Sequence, residues 1–352
     1  MKRCLERQNL KMKALVHSKA FEMVYKDIPK PTLESDSAIV KIKSVGICGS
    51  DIHGYTGDSG RRIPPIVMGH EASGEIVEVN SNSKYKVGQK VTFDSTIYCG
   101  NCDYCDKGLV NLCSNRKVLG VSCDEYTKDG AMAEYLLIPE RIIYSLNDNI
   151  DMDDAALIEP ASVAYHSISI SEIKTTDNVL VIGAGVIGLI IIQALRIKGC
   201  NNIIVADKNE NRLKIAKYYG ANTTVNTKEK DITNRLINDY KNTIDIIFEA
   251  VGISETIGIG IEVVKKKGKV ILIGNISPFV QMPLQKIVTK EINMIGSCAI
   301  KDEYTTVIKH LSEKKLQFDK IITAKAPLSE GDKYFKIIEE GNSDHIKVIL
   351  NP

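Results

Sequence analysis

The stretch CGNCDYCDKGLVNLC carries Cys99, Cys102, Cys105 and Cys113 at spacing C-x2-C-x2-C-x7-C. Such short spacings let four soft thiolates converge at about 2.3 Å from one tetrahedral ion, and four thiolates leave no position open for a substrate. That is the chemistry of a structural zinc site, which holds a loop and catalyses nothing. Paired disulfides or a run of ordinary buried thiols are the competing reading. A second set of donors is scattered: Cys48, Ser50 and His53 in GICGSDIH, His70 and Glu71 in GHEASG, and Glu159 just before Pro160 at a helix start. One thiolate, one imidazole and one carboxylate suit a zinc ion with a position left open for substrate. Singly, each has an ordinary explanation: Cys48 as a core thiol, His70 as a loop hydrogen-bonder, Glu159 as a carboxylate at a helix dipole.

Gly183, Gly185 and Gly188 form GAGVIG, with Val186 and Ile187 between the last two glycines. The motif follows the apolar strand NVLVI and opens a helix, the context that a dinucleotide fingerprint requires. The first glycine permits the tight turn, the second lets backbone amides approach a pyrophosphate, and the third lets the helix pack closely on its strand. Asp207 closes the next strand, NIIVAD, where its carboxylate can accept hydrogen bonds from a ribose diol and repel a 2′-phosphate. NAD is therefore favoured over NADP. Lys208 and Arg212 complicate this preference, since either cation would tolerate a phosphate or stack on the adenine.

These groups need elements to hold them. The first half reads as short strands broken by glycine and proline, AIVKIKSVGI, GEIVEV, KVTFD and AEYLLIP, which argues for a β-rich, barrel-like domain with long functional loops. From about Asp151 the texture changes: DMDDAALIEPASVAYHSIS predicts a helix that marks a boundary. Beyond it NVLVIG, NIIVADK, IDIIFEA and GKVILIG alternate with helical segments, the pattern of a doubly wound parallel sheet in an α/β domain. The terminal HIKVILNP reads as a strand that returns to the first domain.

Composition narrows the function classes. At 352 residues two domains are expected. A net charge of +2 with interleaved signs offers no footprint for nucleic acid or an anionic membrane. The opening MKRCLERQNLK lacks a secretory apolar region, and the longest apolar run is too short to span a bilayer, so a cytoplasmic address is expected. Of nine cysteines four cluster at metal-ligand spacing, while Cys4, Cys123, Cys200 and Cys298 are scattered singly, a usage that fits a reducing compartment.

Taken together, GHEASG, CGSD-x2-H, EP-x-SV, GAGVIG and the cysteine loop resemble the zinc-containing medium-chain alcohol dehydrogenase family, over about Met12 to Pro352. Ser50 and the glutamate of EPASV resemble most the sorbitol and other polyol dehydrogenases, with galactitol-1-phosphate dehydrogenases beside them. The resemblance implies a GroES-like β-barrel catalytic domain over 12–155 and 298–352, a Rossmann NAD-binding domain over 156–297, and 1–11 as a flexible extension. It implies two zinc ions per chain, one structural and one catalytic. Cys48 and His70 would ligate the catalytic ion, with Glu71 or Glu159 completing the set. Ser50 would hydrogen-bond the substrate hydroxyl and His53 would pass its proton outward through the cofactor ribose. The implied activity is transfer of hydride from a secondary hydroxyl of a polyol or polyol phosphate to NAD, by a homodimer or homotetramer.

The chain departs from the family pattern in places. Asn80 stands where a small residue is usual, and the expectation is that asparagine keeps the turn by tolerating a left-handed backbone. SCAIKDEY lacks the arginine–tyrosine pair of animal sorbitol dehydrogenases. Arg61 and Arg62, just before the GHE loop, would either lie solvated or grip a substrate phosphate. Threonine 3-dehydrogenase and butanediol dehydrogenase are the nearest alternative activities, and a catalytically silent zinc- and nucleotide-binding protein is the alternative from another class.

Overall fold

A computed structural model describes residues 10–228, 231–240, 242–341 and 344–352. The chain divides into two units, Met1–Glu159 with Ile300–Pro352, and Pro160–Ala299. Of the segment expected to be a flexible extension, residues 1–9 lie outside the described residues, while Lys11 already pairs with Pro29 in a strand.

In the first unit, β1 (Lys11–Lys19) and β2 (Glu22–Pro29) form a hairpin. β3 (Ser37–Gly46) is the centre of a larger, mixed sheet. It is followed by the short helix α1 (Gly49–Tyr55), then by β4 (Glu71–Val79), β5 (Lys90–Phe93), β6 (Tyr135–Pro139) and β7 (Ile143–Ser145). β3 pairs antiparallel with β4 and with β6. Alternation along these strands turns Ala38, Val40, Ile42, Val91, Phe93, Leu136 and Ile138 into one apolar core.

The stretch expected to be one helix forms two, α2 (Met152–Ala156) and α3 (Ile158–Ser171), parted at Leu157. Pro160 is the reason: in a continuous helix its ring would meet the carbonyl of Ala156, four residues back. The unit boundary falls inside α3, a few residues past the expected 155, because Glu159 remains among the groups of the first unit.

The second unit alternates strand and helix. It runs β8 (Asn178–Ile182), α4 (Val186–Lys198), β9 (Asn202–Asp207), α5 (Glu210–Tyr218), β10 (Thr223–Asn226), α6 (Ile232–Tyr240), β11 (Ile246–Glu249), α7 (Ser254–Val263), β12 (Lys269–Leu272), α8 (Leu284–Lys290) and β13 (Asn293–Gly296). The strands lie parallel in the order β10-β9-β8-β11-β12-β13. This is the doubly wound order, whose direction of winding reverses beside β8, and ligands bind outside the carboxyl ends of the strands there. The fully buried run Val179–Val181 suits a strand covered by helices on both faces.

The last segments, α9 (Tyr304–Ser312), β14 (Ile322–Pro327), α10 (Gly331–Glu339) and β15 (Lys347–Asn351), belong to the first unit. β15 pairs parallel with β14 and antiparallel with the end of β3, at Gly46 and Val45.

Candidate functional site

Cys48 caps α1, and the spacing C-x2-D puts Asp51 at the third helical position, where the Cys48 N–H donates to its Oδ2 at 3.2 Å. Ser50, exposed, and His53, half-buried, are three residues apart on α1 and so share a face. His70 and Glu71 enter from the turn that opens β4. That turn needs Gly69: its φ is +95°, and a Cβ would stand 2.8 Å from Met132 Cγ.

The ligand atoms of Cys48, His70 and Glu71 all lie within 4.8 Å of one another, with His70 and Glu71 buried. His70 Nδ1 makes no hydrogen bond and faces Asp51 Oδ1 at 3.5 Å, which leaves Nε2 for an ion. A soft thiolate, an imidazole and a carboxylate converging in a buried pocket fit zinc, and three protein ligands leave a position for a substrate oxygen.

Around this trio lie further buried charges. Asp51 is fully buried. Burial works against its charge, yet His70, Arg62 and the Cys48 amide outweigh it and hold the carboxyl down to about 2. Arg62 reaches Asp51 Oδ1 at 3.3 Å and is itself buried, so it does not lie solvated; Arg61 is exposed. Glu71 forms a buried ion pair with Lys347 of β15, whose ammonium also donates to the Ile47 carbonyl at 2.9 Å. Gly46 on β3 makes room for this pair, since a Cβ there would come within 2.5 Å of Glu71 Oε2.

Glu159 is near the trio but is not one of the three converging groups. Its carboxylate accepts a 2.7 Å hydrogen bond from the Ser95 hydroxyl. Burial, helped by the neighbouring Glu71 charge and opposed by His70, pushes it up to about 6. Asn80 is not left-handed; its side-chain amide instead donates to the Glu34 carbonyl at 2.8 Å, tying the end of β4 to the entry of β3.

The four cysteines of the loop converge separately. Sγ separations are 3.5 Å for Cys99–Cys113, 3.6 Å for Cys102–Cys105, 3.9 Å for Cys99–Cys105 and 3.9 Å for Cys102–Cys113. A tetrahedron with bonds of about 2.3 Å has edges of about 3.8 Å, so the thiols already outline a zinc tetrahedron. None is in a disulfide. The paired segments Thr96–Ile97 and Lys117–Val118 close the base of the loop.

In the second unit, Gly183 has φ +97°, and a Cβ there would meet Val251 Cγ2 of the loop after β11 at 2.7 Å. Gly188 lies directly against the Gly183 carbonyl, leaving no room for a side chain. Gly185 caps α4 with open space before it, so the amides of Val186 and Ile187 at the helix start face a free approach. Asp207 accepts N–H bonds from Ala184 at 2.6 Å and Asn209 at 2.7 Å, which pin it at the strand end. Lys208 is exposed, and Arg212 lies in the first turn of α5, its N–H donating to Asn209 Oδ1 at 3.1 Å.

Asp51, Ser95 and Lys347 are the site-lining groups that sequence reasoning passed over, and Arg62, noted there only as a loop cation, meets a different partner from the one considered. Asp51 had a signal in its capping spacing from Cys48, and Lys347 in being a cation directly before the apolar run VIL of its strand. Ser95 had none.

Comparison with known proteins followed the two units. Residues 34–148 match the family model for the alcohol dehydrogenase GroES-like domain, and residues 186–313 that for zinc-binding dehydrogenases. A D-arabitol-phosphate dehydrogenase of Enterococcus avium is 32% identical over 340 residues, 94% of this chain and 95% of that protein. A sorbitol dehydrogenase of Halalkalibacterium halodurans is 34% identical over 351 residues, 97% of this chain and 99% of that one. Among solved structures, galactitol-1-phosphate dehydrogenase from Escherichia coli superposes with a TM-score of 0.89 at 26% identity, covering 97% of this chain and all of its own.

Proposed function

This chain belongs to the zinc-binding alcohol dehydrogenase family, and on that premise we propose that it oxidises a secondary hydroxyl of a polyol or polyol phosphate with NAD as hydride acceptor. The observation that carries the reading is the convergence of Cys48, His70 and Glu71 beside the Ser50–His53 face of α1. Cys48, His70 and Glu71 would hold the catalytic zinc, with Glu159 the alternative carboxylate. Cys99, Cys102, Cys105 and Cys113 would hold a structural zinc. When bound, the catalytic ion supplies Lewis acidity that lowers the pKa of an alcohol and stabilises developing negative charge on its oxygen, and the nicotinamide accepts the hydride.

The chain's own residues do the rest. Ser50 accepts the hydrogen bond of the substrate hydroxyl and orients it, and His53, one helical turn on, carries the released proton outward. Gly183, Gly185 and Gly188 shape the turn that receives the pyrophosphate at the start of α4. Asp207 takes the ribose diol, and its charge disfavours a 2′-phosphate. With Arg62 committed to Asp51, phosphate recognition is not assigned to it. Reduced thiols in the zinc loop support a cytoplasmic address. Among the described residues no helix is long and apolar enough to cross a membrane. A homodimer or homotetramer is supported by β13, an edge strand, and by the exposed Phe279, Leu284 and Val288 nearby in the chain.

The test is a screen for NADH formation over free and phosphorylated pentitols and hexitols, threonine and butanediol. Turnover confined to polyols or their phosphates is the expected result. Turnover of threonine or butanediol alone would reassign the substrate, and no turnover of any, with zinc bound, would overturn the reading.

A further inference from the structure

We propose that Arg62 is a positioning residue for proton release, joining the hydroxyl of Ser50 to the carboxylate behind His70. The inference rests on the alcohol-oxidising reading of the pocket. One guanidinium nitrogen, Nη2, lies 3.3 Å from Asp51 Oδ1 and 3.4 Å from Ser50 Oγ, and donates to both. The same Asp51 oxygen faces His70 Nδ1 at 3.5 Å. A single cation therefore touches both the metal-ligand support and the hydroxyl that receives the substrate.

The cation is firmly placed. The side chain is 6% exposed, and Nη1 donates to the Arg61 carbonyl at 3.0 Å. The backbone on either side is laced to Ser122, through Ile63 N–H to its carbonyl and its N–H to the Arg61 carbonyl. The aliphatic stem runs over Gly54 of α1, where any Cβ would collide with it. Nε is buried without a hydrogen-bond partner, so the group is held by its ion pair and not by saturation of its donors.

Two consequences follow from the chemistry of the groups. Among the described residues, Arg62 is the lysine or arginine in direct ion-pair contact with the buried Asp51 carboxylate, and its charge does not depend on the state of His70. Without Arg62 the carboxylate would keep the Cys48 N–H and the influence of the buried Lys347 but lose its ion pair, and its hold on the position facing His70 would weaken. At Ser50, a hydroxyl has two acceptor lone pairs and one proton. Arg62 occupies one lone pair and the substrate hydroxyl the other, so the proton of Ser50 is turned away from both, toward the outward relay. Oxidation of CH–OH to C=O yields a hydride, which the nicotinamide takes, and a proton: the substrate O–H bond breaks, an O–H bond to Ser50 forms, and the original Ser50 proton departs. A guanidinium cannot accept a proton and so cannot divert this one.

The test compares Arg62→Met, Arg62→Gln and Arg62→Lys with the unaltered protein. In Arg62→Met, kcat should fall about 10- to 100-fold with KM for the alcohol little changed, and the solvent deuterium effect on kcat should grow. The visible spectrum of the cobalt-loaded protein should shift, and a chelator should strip the metal about 10- to 100-fold faster. Arg62→Lys should recover the cobalt spectrum by restoring the charge. Arg62→Gln keeps donors without charge and carries the test if the methionine variant does not fold. Wild-type kcat, isotope effect and cobalt spectrum in the methionine or glutamine variant would overturn the proposal. If the unaltered protein oxidises no alcohol, the functional reading fails, while the cobalt spectrum and chelation rate, which need no substrate, still decide whether Arg62 supports His70 through Asp51.

Discussion

Lys347 and Glu71 carry opposite charges where almost no water reaches, at 3% and 2% exposure. A pair this deep is held together by mutual compensation, so removing one partner strands the other. Lys347→Met should cost about 3–5 kcal/mol by urea unfolding, Lys347→Arg far less, and equal stability of all three proteins would contradict the account. At the cysteine loop, Cys102→Ser opens one corner of a closed tetrahedron. Zinc content should drop by about one ion per chain and the melting temperature should fall, while turnover per remaining folded molecule persists; unchanged zinc content would remove the loop from the metal inventory. Asp207 gives a third residue-level expectation. If Asp207 is the ribose acceptor proposed, Asp207→Ala removes both that acceptor and the charge that would repel a 2′-phosphate, so KM for NAD should rise by about tenfold or more and the preference over NADP should shrink.

At the scale of single elements, the start of α4 depends on close packing. A Cβ on Gly188 would fall on the Gly183 carbonyl, so Gly188→Ala must push the helix away from β8. Overpacking of that kind costs about 1–3 kcal/mol, and here it displaces the amides proposed to receive the pyrophosphate. NAD binding by calorimetry should weaken markedly while zinc content stays the same; undisturbed binding would mean the helix start is not the pyrophosphate site. α1 is the other decisive element. At seven residues it is too short to be stable alone, and its Cys48–Asp51 cap and its packing under Arg62 fix the face that carries Ser50 and His53.

At the scale of the whole molecule, the second unit presents an edge strand, β13, preceded by a segment in which Phe279 is 92% exposed and Leu284 and Val288 are each 67% exposed. An edge strand beside exposed apolar side chains is a surface that a second copy of the chain can cover. Sedimentation of a Phe279→Asp, Val288→Glu double variant should show a lighter species than the unaltered protein. Identical sedimentation would place the subunit contact elsewhere.

The chemistry was legible in the sequence wherever the chain itself brings the groups together. The cysteine tetrahedron closes within one loop, and the glycine turn, its strand and its helix are contiguous, so residue type and spacing alone determined them. The parallel alternation of the second unit was readable because buried strands are near-continuous apolar runs. What pairs with what across the fold was not readable. Glu71 meets Lys347 across 276 residues only because β15 pairs antiparallel with the end of β3. Ser95 meets Glu159 across 64 residues because α3 begins within the first unit. Arg62 reads in sequence as a loop cation beside another, and only the lacing of its backbone to Ser122 turns it inward onto Asp51 and Ser50. The sequence by itself determined which donors are present. Tertiary structure decided which carboxylate meets a buried cation and which a hydroxyl, because long-range strand pairing sets the distances between charges, and in a buried site those distances govern the electrostatic energy.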